Sequence, residues 1–163
     1  MIKFFCFNMF FFLVVSIHAQ QKIVVDLTGK GNFTSIQSAV NSLSDSAKKE
    51  RIIFIKNGIY KEKIFLTKHN VVLEGEDKKN TIIIQSIARD EFRCNAENDW
   101  GVATLNLSGN DITLKNLTIT NNYGFENNKE VIIACLNDTV IQQKTVRKDG
   151  HQMALRTFAT TRL

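Results

Sequence analysis

The sequence predicts an all-β fold in which short strands wind into a parallel β-helix. Runs of β-branched and apolar residues alternate with polar ones, which is the period of a strand with one buried face. Short polar corners separate many of these runs. The run Val71-Val72-Leu73-Glu74-Gly75 is similar to Ile112-Thr113-Leu114-Lys115-Asn116, and such repetition is typical of a solenoid. A β-sandwich fits the strand count as well, although its strands usually run longer and its hairpins usually contain Asn-Gly or Asp-Gly.

Length and composition indicate one β-rich domain with a sizeable core. The chain has 163 residues, of which 44% are hydrophobic and none is proline. Val, Ile, Thr, Phe and Leu are abundant, which favours strands. The formal charge of +5 suits an anionic substrate but equally describes an ordinary solvated surface. Arg and Lys do not form a stripe interleaved with aromatic residues, so nucleic acid is not indicated as a partner.

Residues 1–19 are predicted to be a secretory signal peptide. Lys3 supplies the positive start, Phe10–Val15 the apolar centre, and Ala19 a small residue before the cleavage point. A membrane anchor is the alternative, but the apolar run is short for a span and polar residues flank it. The mature protein, residues 20–163, would therefore act outside the cytoplasm, in the extracellular or periplasmic space.

Two cysteines remain after the signal peptide, Cys94 and Cys135. An oxidising compartment permits a disulfide between them, and two buried free thiols are an equally good interpretation. Neither cysteine lies in a zinc-binding pattern with histidine or a second cysteine. The sequence therefore predicts no metal site.

The first half of the mature chain is expected to contain one helix among strands. Apolar residues recur at helical spacing from Phe33 to Leu43, and Thr34 with Gln37 has the spacing of a capping box. Its single apolar face would cover the open end of a sheet or coil. Turns are expected at Asn57-Gly58 and His69-Asn70. The strands expected here are Ile23–Leu27, Ile52–Ile55, Ile64–Leu66, Val71–Leu73 and Thr81–Ile84.

The clearest strands lie within Trp100–Asn122. Corners are expected at Gly109-Asn110 and Lys115-Asn116, because Gly and Asn tolerate positive φ. The polar residues 89–99 before this segment indicate an excursion from the core. Loops are expected over 123–129 and 142–150. The strands expected in this half are Val102–Leu107, Ile112–Leu114, Leu117–Ile119, Val131–Ala134, Thr139–Ile141 and Met153–Phe158.

Several segments resemble, in the correct order, blocks of the pectinesterase family. Asp26–Ile36 is similar to the opening signature, and Gly58–Glu62 to a Gly-x-Tyr-x-Glu block. Val72–Gly75 and Ile112–Asn122 match the core strands that follow. Gly150–Arg156 resembles the Gln-Ala-Val-Ala-Leu-Arg block, with a Gln-Met variant that looks more like the bacterial branch. No single block is specific, but the ordered set covers nearly all of the mature chain.

The resemblance implies a right-handed parallel β-helix that hydrolyses the methyl esters of polygalacturonate, or pectin. In that family one carboxylate is the nucleophile, a second is the general acid/base, and an amide side chain stabilises the oxyanion. An Arg orients the nucleophile, and no metal or other cofactor is used. Gln152 matches the oxyanion glutamine and is the one candidate catalytic residue; its neutral amide donates without titrating. The protein is expected to be a monomer that binds pectin. It is expected to bind neither nucleic acid nor, after removal of the signal peptide, a membrane.

The other catalytic groups have no match in this chain. In the family both catalytic Asp and the Arg follow the block that contains Gln152. The eight Asp of residues 20–163 precede it, and turn or loop roles explain each. Arg156 and Arg162 precede the family's catalytic Arg. We therefore expect residues 20–163 to be the amino-terminal part of a longer esterase, incomplete and inactive alone. The alternative is a non-catalytic β-helix module that binds pectin-like polysaccharide.

Two weaker signals remain open. Trp100 and Tyr123 would line a sugar-binding groove if their rings are exposed, or pack within the core or a loop if they are not. Four Asn-x-Ser/Thr triplets are glycosylation candidates in a eukaryotic protein, although a Thr- and Asn-rich solenoid produces such triplets by chance. These triplets begin at Asn32, Asn106, Asn116 and Asn137.

Overall fold

The computed structural model describes residues 22–45, 47–93, 96 and 98–123, together with four later strands of which only the backbone is described. The predicted signal peptide and Gln152 lie outside the described residues. The elements in chain order are β1 (Lys22–Val25), α1 (Ile36–Asn41), β2 (Arg51–Ile55), β3 (Gly58–Tyr60), β4 (Ile64–Leu66), β5 (Val71–Gly75), β6 (Thr81–Gln85), α2 (Arg89–Arg93), β7 (Leu105–Leu107), β8 (Ile112–Lys115), β9 (Thr118–Asn121), β10 (Val131–Cys135), β11 (Gln142–Val146), β12 (Leu155–Thr157) and β13 (Thr161–Arg162).

Three parallel sheets form the walls of the coil. Sheet A has the order β1-β2-β5-β8-β13, sheet B the order β3-β6-β9, and sheet C the order β4-β7-β12. The chain therefore passes from sheet A to sheet B to sheet C and then returns to sheet A one level higher. The successive coils are β2-β3-β4, β5-β6-β7 and β8-β9-β12. The predicted parallel β-helix is confirmed, and the β-sandwich alternative is wrong because these sheets are parallel.

The core consists of aliphatic side chains stacked from coil to coil. In sheet A, Ile23, Ile53, Leu73 and Leu114 occupy one position of the register and are all buried. Alternate residues of each strand face this interior, so short strands can bury a continuous column of side chains. At about 25 cal/mol for each Å² of apolar surface removed from water, such columns are the main stabilising contribution.

Most strand positions agree with the sequence, and one turn does not. The turn expected at Asn57-Gly58 is wrong at Gly58, which begins β3 and whose N–H donates to the carbonyl of Asn80 at 2.8 Å. Pairing with the next coil makes this corner part of a sheet. The loop expected from Gln142 is also wrong, because β11 pairs in antiparallel fashion with β10. The strand expected at Thr139–Ile141 lies outside the described residues.

Corners of the coil depend on residues with positive φ and on close backbone contacts. Asn70 has φ 52°, Asp111 54° and Asn116 49°. The corner expected at Gly109-Asn110 is present, but its residue with positive φ is Asp111. Gly109 is required for another reason: a Cβ there would overlap the carbonyl oxygen of Lys68. Gly75 likewise leaves space for the carbonyl of Asn116 in the next coil.

Helix α1 is shorter than expected and is capped differently. Ser35, not Thr34, is the N-cap, with extended backbone and a hydroxyl that accepts the N–H of Ser38 at 3.3 Å. The predicted capping box is therefore wrong. An acidic side chain from the link between β3 and β4 binds the start of the helix instead. The carboxylate of Glu62 accepts the hydroxyl of Ser35 at 2.9 Å and the N–H groups of Ile36 and Gln37 at 3.1 Å each.

Gln37 of α1 bonds to the backbone of sheet C. Its Oε1 accepts the N–H of Phe65 at 2.7 Å, and its Nε2 donates to the carbonyl of Phe65 at 3.3 Å. This is the pair of bonds that a neighbouring strand would make with β4. The side chain thereby satisfies polar backbone at the amino-terminal edge of the sheet.

A buried arginine fixes the link that leads from α1 to β2. Arg51 lies on the inner side of β2 and is only 4% exposed. Its guanidinium donates to the carbonyl oxygens of Ser44, at 2.8 Å, and His69. Asn70 Nδ2 adds a bond to the carbonyl of Ala47 at 2.7 Å. These bonds tie the link to the corner between β4 and β5. They also give both terminal nitrogens of the buried guanidinium acceptors, which lowers the cost of burying its charge.

Candidate functional site

Gln152, the one candidate catalytic residue, lies outside the described residues, but the strand that follows it is placed. Leu155 of β12 pairs with Leu105 of β7, and Arg156 with Asn106. The block that contains Gln152 therefore enters sheet C one coil after β7. This register fixes the level of the β-helix at which the block rejoins the coil.

Two long insertions connect sheet B to sheet C in adjacent coils. The first insertion, residues 86–104, joins β6 to β7, and the second insertion, residues 122–154, joins β9 to β12. Their flanking strands are paired, β6 with β9 and β7 with β12. Both insertions therefore leave and rejoin the coil on the same side, one above the other. Long connections on a rigid scaffold are where binding and catalytic residues concentrate.

The first insertion is fixed to β9 at both of its ends. Asn121 is 5% exposed; its Nδ2 donates to the carbonyl of Ile87 at 2.9 Å, and its Oδ1 accepts the N–H of Ile87 at 3.3 Å. At the other end, the hydroxyl of Thr104 donates to the carbonyl of Thr120 at 2.9 Å. The insertion thus begins and ends on the coil that precedes the second insertion.

Charge pairing closes the first insertion on itself. Arg89 Nη2 lies 2.7 Å from Asp99 Oδ2, and Arg93 Nε lies 3.7 Å from Asp99 Oδ1. Arg89 and Arg93 begin and end α2, which the sequence did not predict within this polar segment. Asn98 Oδ1 accepts the N–H of Trp100 at 2.8 Å, so the chain is also held immediately before the tryptophan.

Three aromatic rings meet where the first insertion rests on sheet C. Phe65 points outward from β4, since its neighbours Ile64 and Leu66 are buried inside the coil. The ring of Trp100 lies edge-to-face with Phe65, with centroids 6.0 Å apart and an interplanar angle of 60°. Gly101, at φ 89°, lies so close that an added Cβ would be 2.9 Å from the Phe65 ring and 3.4 Å from that of Phe92.

Lys63 completes this surface. Its ammonium lies 4.7 Å from the centroid of the Phe92 ring, within the range of a cation–π interaction. All four side chains, Lys63, Phe65, Phe92 and Trp100, are half-buried. We call this set the aromatic surface. It contains Trp100, for which the sequence left groove and packing interpretations open. It also contains two phenylalanines that sequence reasoning did not single out; the outward position of Phe65 in β4 was the available signal.

The outer face of β7 is covered, contrary to expectation. Alternation predicted one buried face for this strand, yet Asn106 is fully buried as well as Leu105 and Leu107. Asn106 Nδ2 donates to the carbonyl of Ala103 at 2.8 Å, at the end of the first insertion. This burial removes Asn106 from the candidate glycosylation sites, whereas Asn32 and Asn116 are exposed.

Asp26 and Asp77 stabilise turns, as the sequence predicted, whereas Asp45 and Asp99 form ion pairs that it did not predict. Asp26 Oδ1 accepts the N–H and the hydroxyl of Thr28, and these bonds hold the pKa of Asp26 below its ordinary value. Asp77 Oδ1 accepts the N–H groups of Lys79 and Asn80, at 3.0 Å each. Asp45 pairs with Lys68, which lowers its pKa through the charge-assisted hydrogen bond.

Other candidate groups are less informative. Over the residues that the structure describes, no three or more His, Cys, Asp and Glu are grouped in a way that could hold a metal ion. Cys94, the side chain of Cys135 and His151 lie outside the described residues, so the disulfide prediction stays a prediction. His69 Nδ1 accepts the N–H of Asn110 at 3.0 Å, which is a structural contact.

In the described part of the chain, none of the helices has the length and apolar character needed to cross a membrane.

Comparison with known proteins gives a consistent set of similarities. The sequence profile of the Pectinesterase family matches residues 22–162. The chain is 33% identical over 134 residues to "Probable pectinesterase/pectinesterase inhibitor 23" of Arabidopsis thaliana, a match that covers 81% of this chain and 23% of that protein. It is 32% identical over 81 residues to "Pectinesterase A" of Dickeya chrysanthemi, covering 48% of this chain and 22% of that protein.

Solved structures show the same similarity. A pectin methylesterase in complex with a hexasaccharide superposes with a TM-score of 0.61 at 25% identity, covering 88% of this chain and 42% of that one. The chain spans about a quarter of the length of the two curated relatives, whose covered shares are 23% and 22%.

Proposed function

Since the chain belongs to the pectinesterase family, we propose that it forms the amino-terminal coils of an enzyme that hydrolyses methyl esters of polygalacturonate. The match of the family profile from β1 to β13 is the observation that carries this proposal. The three parallel sheets support it, because they provide a rigid wall, and so do the paired strands from which the two insertions leave and to which they return. The hexasaccharide bound to a structurally similar pectin methylesterase supports an extended sugar polymer as substrate.

In the proposed mechanism, the amide of Gln152 donates hydrogen bonds to the oxyanion formed when a carboxylate attacks the ester carbonyl. The position of β12, in register with β7, supports this role because it brings the Gln152 block to the side of the coil that carries both insertions. An amide suits the task because it is a neutral donor whose charge does not change with pH. The nucleophilic and acid/base carboxylates are proposed to come from a segment that follows residues 20–163.

The finer features of the fold are part of the proposal. We propose that the coil is right-handed and that α1 closes its amino-terminal end, since Gln37 bonds to the edge of sheet C. We also propose that residues 1–19 direct secretion, which would bring the enzyme to cell-wall pectin, and that it acts as a monomer.

Methanol release from methyl-esterified pectin tests the esterase proposal. The 163-residue chain should release none, whereas the natural reading frame continued through the rest of the domain should be active. In that longer protein, Gln152→Ala should lower kcat by about 10² to 10³, the usual effect of losing one oxyanion donor. Gln21→Ala is the matched control and should leave kcat unchanged. Clear turnover by the 163-residue chain would contradict the proposed position of the carboxylates.

A second outcome would indicate the non-catalytic alternative. Asp26 and Asp77 are engaged in turns and Asp45 in an ion pair, which favours a module that binds polysaccharide without cleaving it. Sequencing past codon 163 separates the two functions. A continued or interrupted frame that encodes further Asp-containing blocks favours the esterase, and a frame that ends without them favours the binding module. Saturable retention on polygalacturonate without methanol release would confirm the module.

A further inference from the structure

We propose that Asn57 is a site of spontaneous deamidation, which the pairing of β3 with β6 blocks in the folded coil. Asn57-Gly58 is the only Asn-Gly pair in the sequence. Because glycine has no side chain to obstruct its own amide nitrogen, this nitrogen attacks a preceding Asn side chain readily. The inference concerns the durability of the protein and does not depend on the proposed esterase activity.

The reaction needs only base and water. The backbone nitrogen of Gly58 loses its proton to base and forms a bond to Cγ of Asn57, and the side-chain nitrogen of Asn57 leaves as ammonia. Water then opens the resulting succinimide ring at either of its two carbonyl carbons. One opening gives aspartate, and the other gives isoaspartate, in which the main chain runs through the side-chain carboxyl group. The Asn57 side chain is exposed, so both reagents reach it.

Three hydrogen bonds from the adjacent coil hold the reacting groups in the folded protein. The N–H of Gly58 donates to the carbonyl of Asn80 at 2.8 Å, so the attacking nitrogen keeps its proton. Asn57 Oδ1 accepts the hydroxyl of Thr81 at 3.1 Å, and the Asn57 N–H donates to Glu76 Oε2 at 3.0 Å. Ring closure removes the proton from the first bond and rotates the side-chain amide out of the second.

The turn that supplies these partners is itself fixed. Asp77 Oδ1 accepts the N–H of Asn80 at 3.0 Å and its Nδ2 at 2.8 Å. Thr81 is fully buried and pairs with Gly58 at the start of the ladder between β3 and β6. Releasing Asn57 and Gly58 together therefore means separating these two strands, and not moving one side chain. The rate of the reaction should follow the population of this open form.

Deamidation would make the opening irreversible. Isoaspartate adds one atom to the main chain between positions 57 and 58, which displaces Gly58 from its register with Thr81. A carboxylate at position 57 would also lie close to that of Glu76, whose Oε2 now accepts the N–H of Asn57. Two like charges at this corner repel each other. A chain modified while the corner is open would therefore not regain the native pairing.

Peptide mapping by mass spectrometry tests the proposal, since deamidation changes the mass of the peptide that contains Asn57. The protein, as the mature chain and as the continued reading frame, would be incubated at mildly alkaline pH in buffer and in urea. Circular dichroism would identify the folded samples. We expect deamidation of Asn57 to be about 10- to 100-fold slower in folded protein than in urea. Gly58→Ala should slow the reaction in urea, because its methyl group crowds the attacking nitrogen.

Thr81→Val tests the block directly, because it keeps the shape of the buried side chain and removes the hydroxyl that binds Asn57. In folded protein it should accelerate deamidation about fivefold, and in urea it should change nothing. Thr113→Val, on the outer face of β8, is the matched control and should have no effect in either state. Hydrogen exchange of the Gly58 amide is a second measurement, which needs no variant. Folding should slow this exchange and the deamidation of Asn57 by similar factors, since both require release of the same N–H.

The proposal is overturned if Asn57 deamidates as fast in folded protein as in urea, or if it stays intact in urea. Equal rates for folded Thr81→Val and Thr113→Val would also refute it. If Thr81→Val does not fold, the exchange measurement decides. A Gly58 amide that exchanges rapidly while Asn57 stays intact would show that strand pairing is not what blocks the reaction.

Discussion

Gln37 and Phe65 are joined by two hydrogen bonds, in which a side-chain amide takes the place of a neighbouring strand. The bonds measure 2.7 Å and 3.3 Å and lie at the amino-terminal edge of sheet C. Because an unpaired strand edge favours association with other chains, this contact protects the fold as well as stabilising it. It also holds the strand from which Phe65 projects into the aromatic surface.

Replacing Gln37 with Met should remove both bonds while keeping a side chain of similar length. We expect the free energy of unfolding to fall by about 1 to 3 kcal/mol, because the N–H and C=O of Phe65 lose their partner. Urea denaturation followed by circular dichroism measures this change, and light scattering should reveal increased association. Ser38→Ala, at an exposed position of the same helix, is the control. Equal stability of both variants would contradict the role of Gln37.

Replacing Glu62 with Gln should destabilise the start of α1. The carboxylate accepts three hydrogen bonds there, and an amide of the same size would direct an NH₂ group toward some of these donors. A loss of about 1 to 2 kcal/mol is expected, as for other caps. Thermal unfolding checks it, with Glu74→Gln on the outer face of β5 as the charge-matched control. An unchanged melting temperature for Glu62→Gln would show that Ser35 alone suffices.

Alanine at Gly75 should cost more stability than alanine at Gly29. A Cβ at Gly75 would overlap the backbone carbonyl of Asn116, which cannot rotate away, and a loss of about 3 kcal/mol is expected. Gly29 has φ 81° but no atom within 4 Å of its added Cβ, so only the backbone conformation is penalised, by about 1 kcal/mol. Urea midpoints of the two variants test this order. The reverse order would mean that the coils separate at little cost.

Tyr60 should make the protein less stable in strong alkali. Its side chain is fully buried and its hydroxyl donates to the carbonyl of Lys56 at 2.9 Å. Burial, together with the charges of Asp26 and Glu62, raises the pKa of Tyr60 from 10.0 to about 12. The folded pKa lies above the unfolded one, so this stability is fully present below pH 10 and is lost as the pH rises toward 12. The decline should be about 1.4 kcal/mol for each pH unit.

Tyr60→Phe tests this dependence, since a phenyl ring cannot ionise. The free energy of unfolding of this variant should lack the part of the alkaline decline that comes from ionisation of Tyr60. At neutral pH the variant should be about 1 kcal/mol less stable, because the hydrogen bond of the hydroxyl is lost. Tyr123→Phe, at the only other tyrosine, should retain the decline. Urea titrations across the alkaline window provide the measurement. Parallel curves for wild type and Tyr60→Phe would contradict the assignment.

Replacing Asn121 with Leu should loosen the first insertion without unfolding the coil. Leucine leaves the N–H and C=O of Ile87 without the partner that now binds both. Losing about 1 to 3 kcal/mol at this point should accelerate hydrogen exchange of the Ile87 amide by about 10- to 100-fold. Thr120→Val, whose backbone carbonyl still accepts from Thr104, should leave that exchange rate unchanged. Unaltered exchange in Asn121→Leu would show that other contacts fix the insertion.

Strands could be predicted because their signal is local, whereas caps and one short strand could not. Alternation within Ile64–Leu66 predicts β4 directly. The N-cap was predicted at Thr34 and not at Ser35, because the carboxylate that binds Ser35 belongs to Glu62, which is 27 residues away in sequence. Strand β3 was missed because Gly58 looks like a turn residue, and only pairing with β6 extends it.

The candidate site was predictable only where a family motif exists. Gln152 was identified by resemblance to a known block, and its position stays a prediction. The aromatic surface could not be predicted, because Phe65, Phe92 and Trp100 are far apart in sequence and meet only when the first insertion folds onto sheet C. The burial of Asn106 was missed for the same reason, since the covering residues belong to that insertion.

The pairing of each strand with its counterpart in the adjacent coil also sets the order in which the chain can fold during synthesis. Ile53 pairs with Ile23 in the preceding strand of sheet A and with Leu73 in the next coil. The amino-terminal coils can therefore form while the ribosome is still adding later residues, and each finished coil offers an edge for the next. Strand β12 must wait for the whole second insertion to be translated before it meets β7. Folding of the nascent chain would therefore wait at this coil until the second insertion has been synthesised.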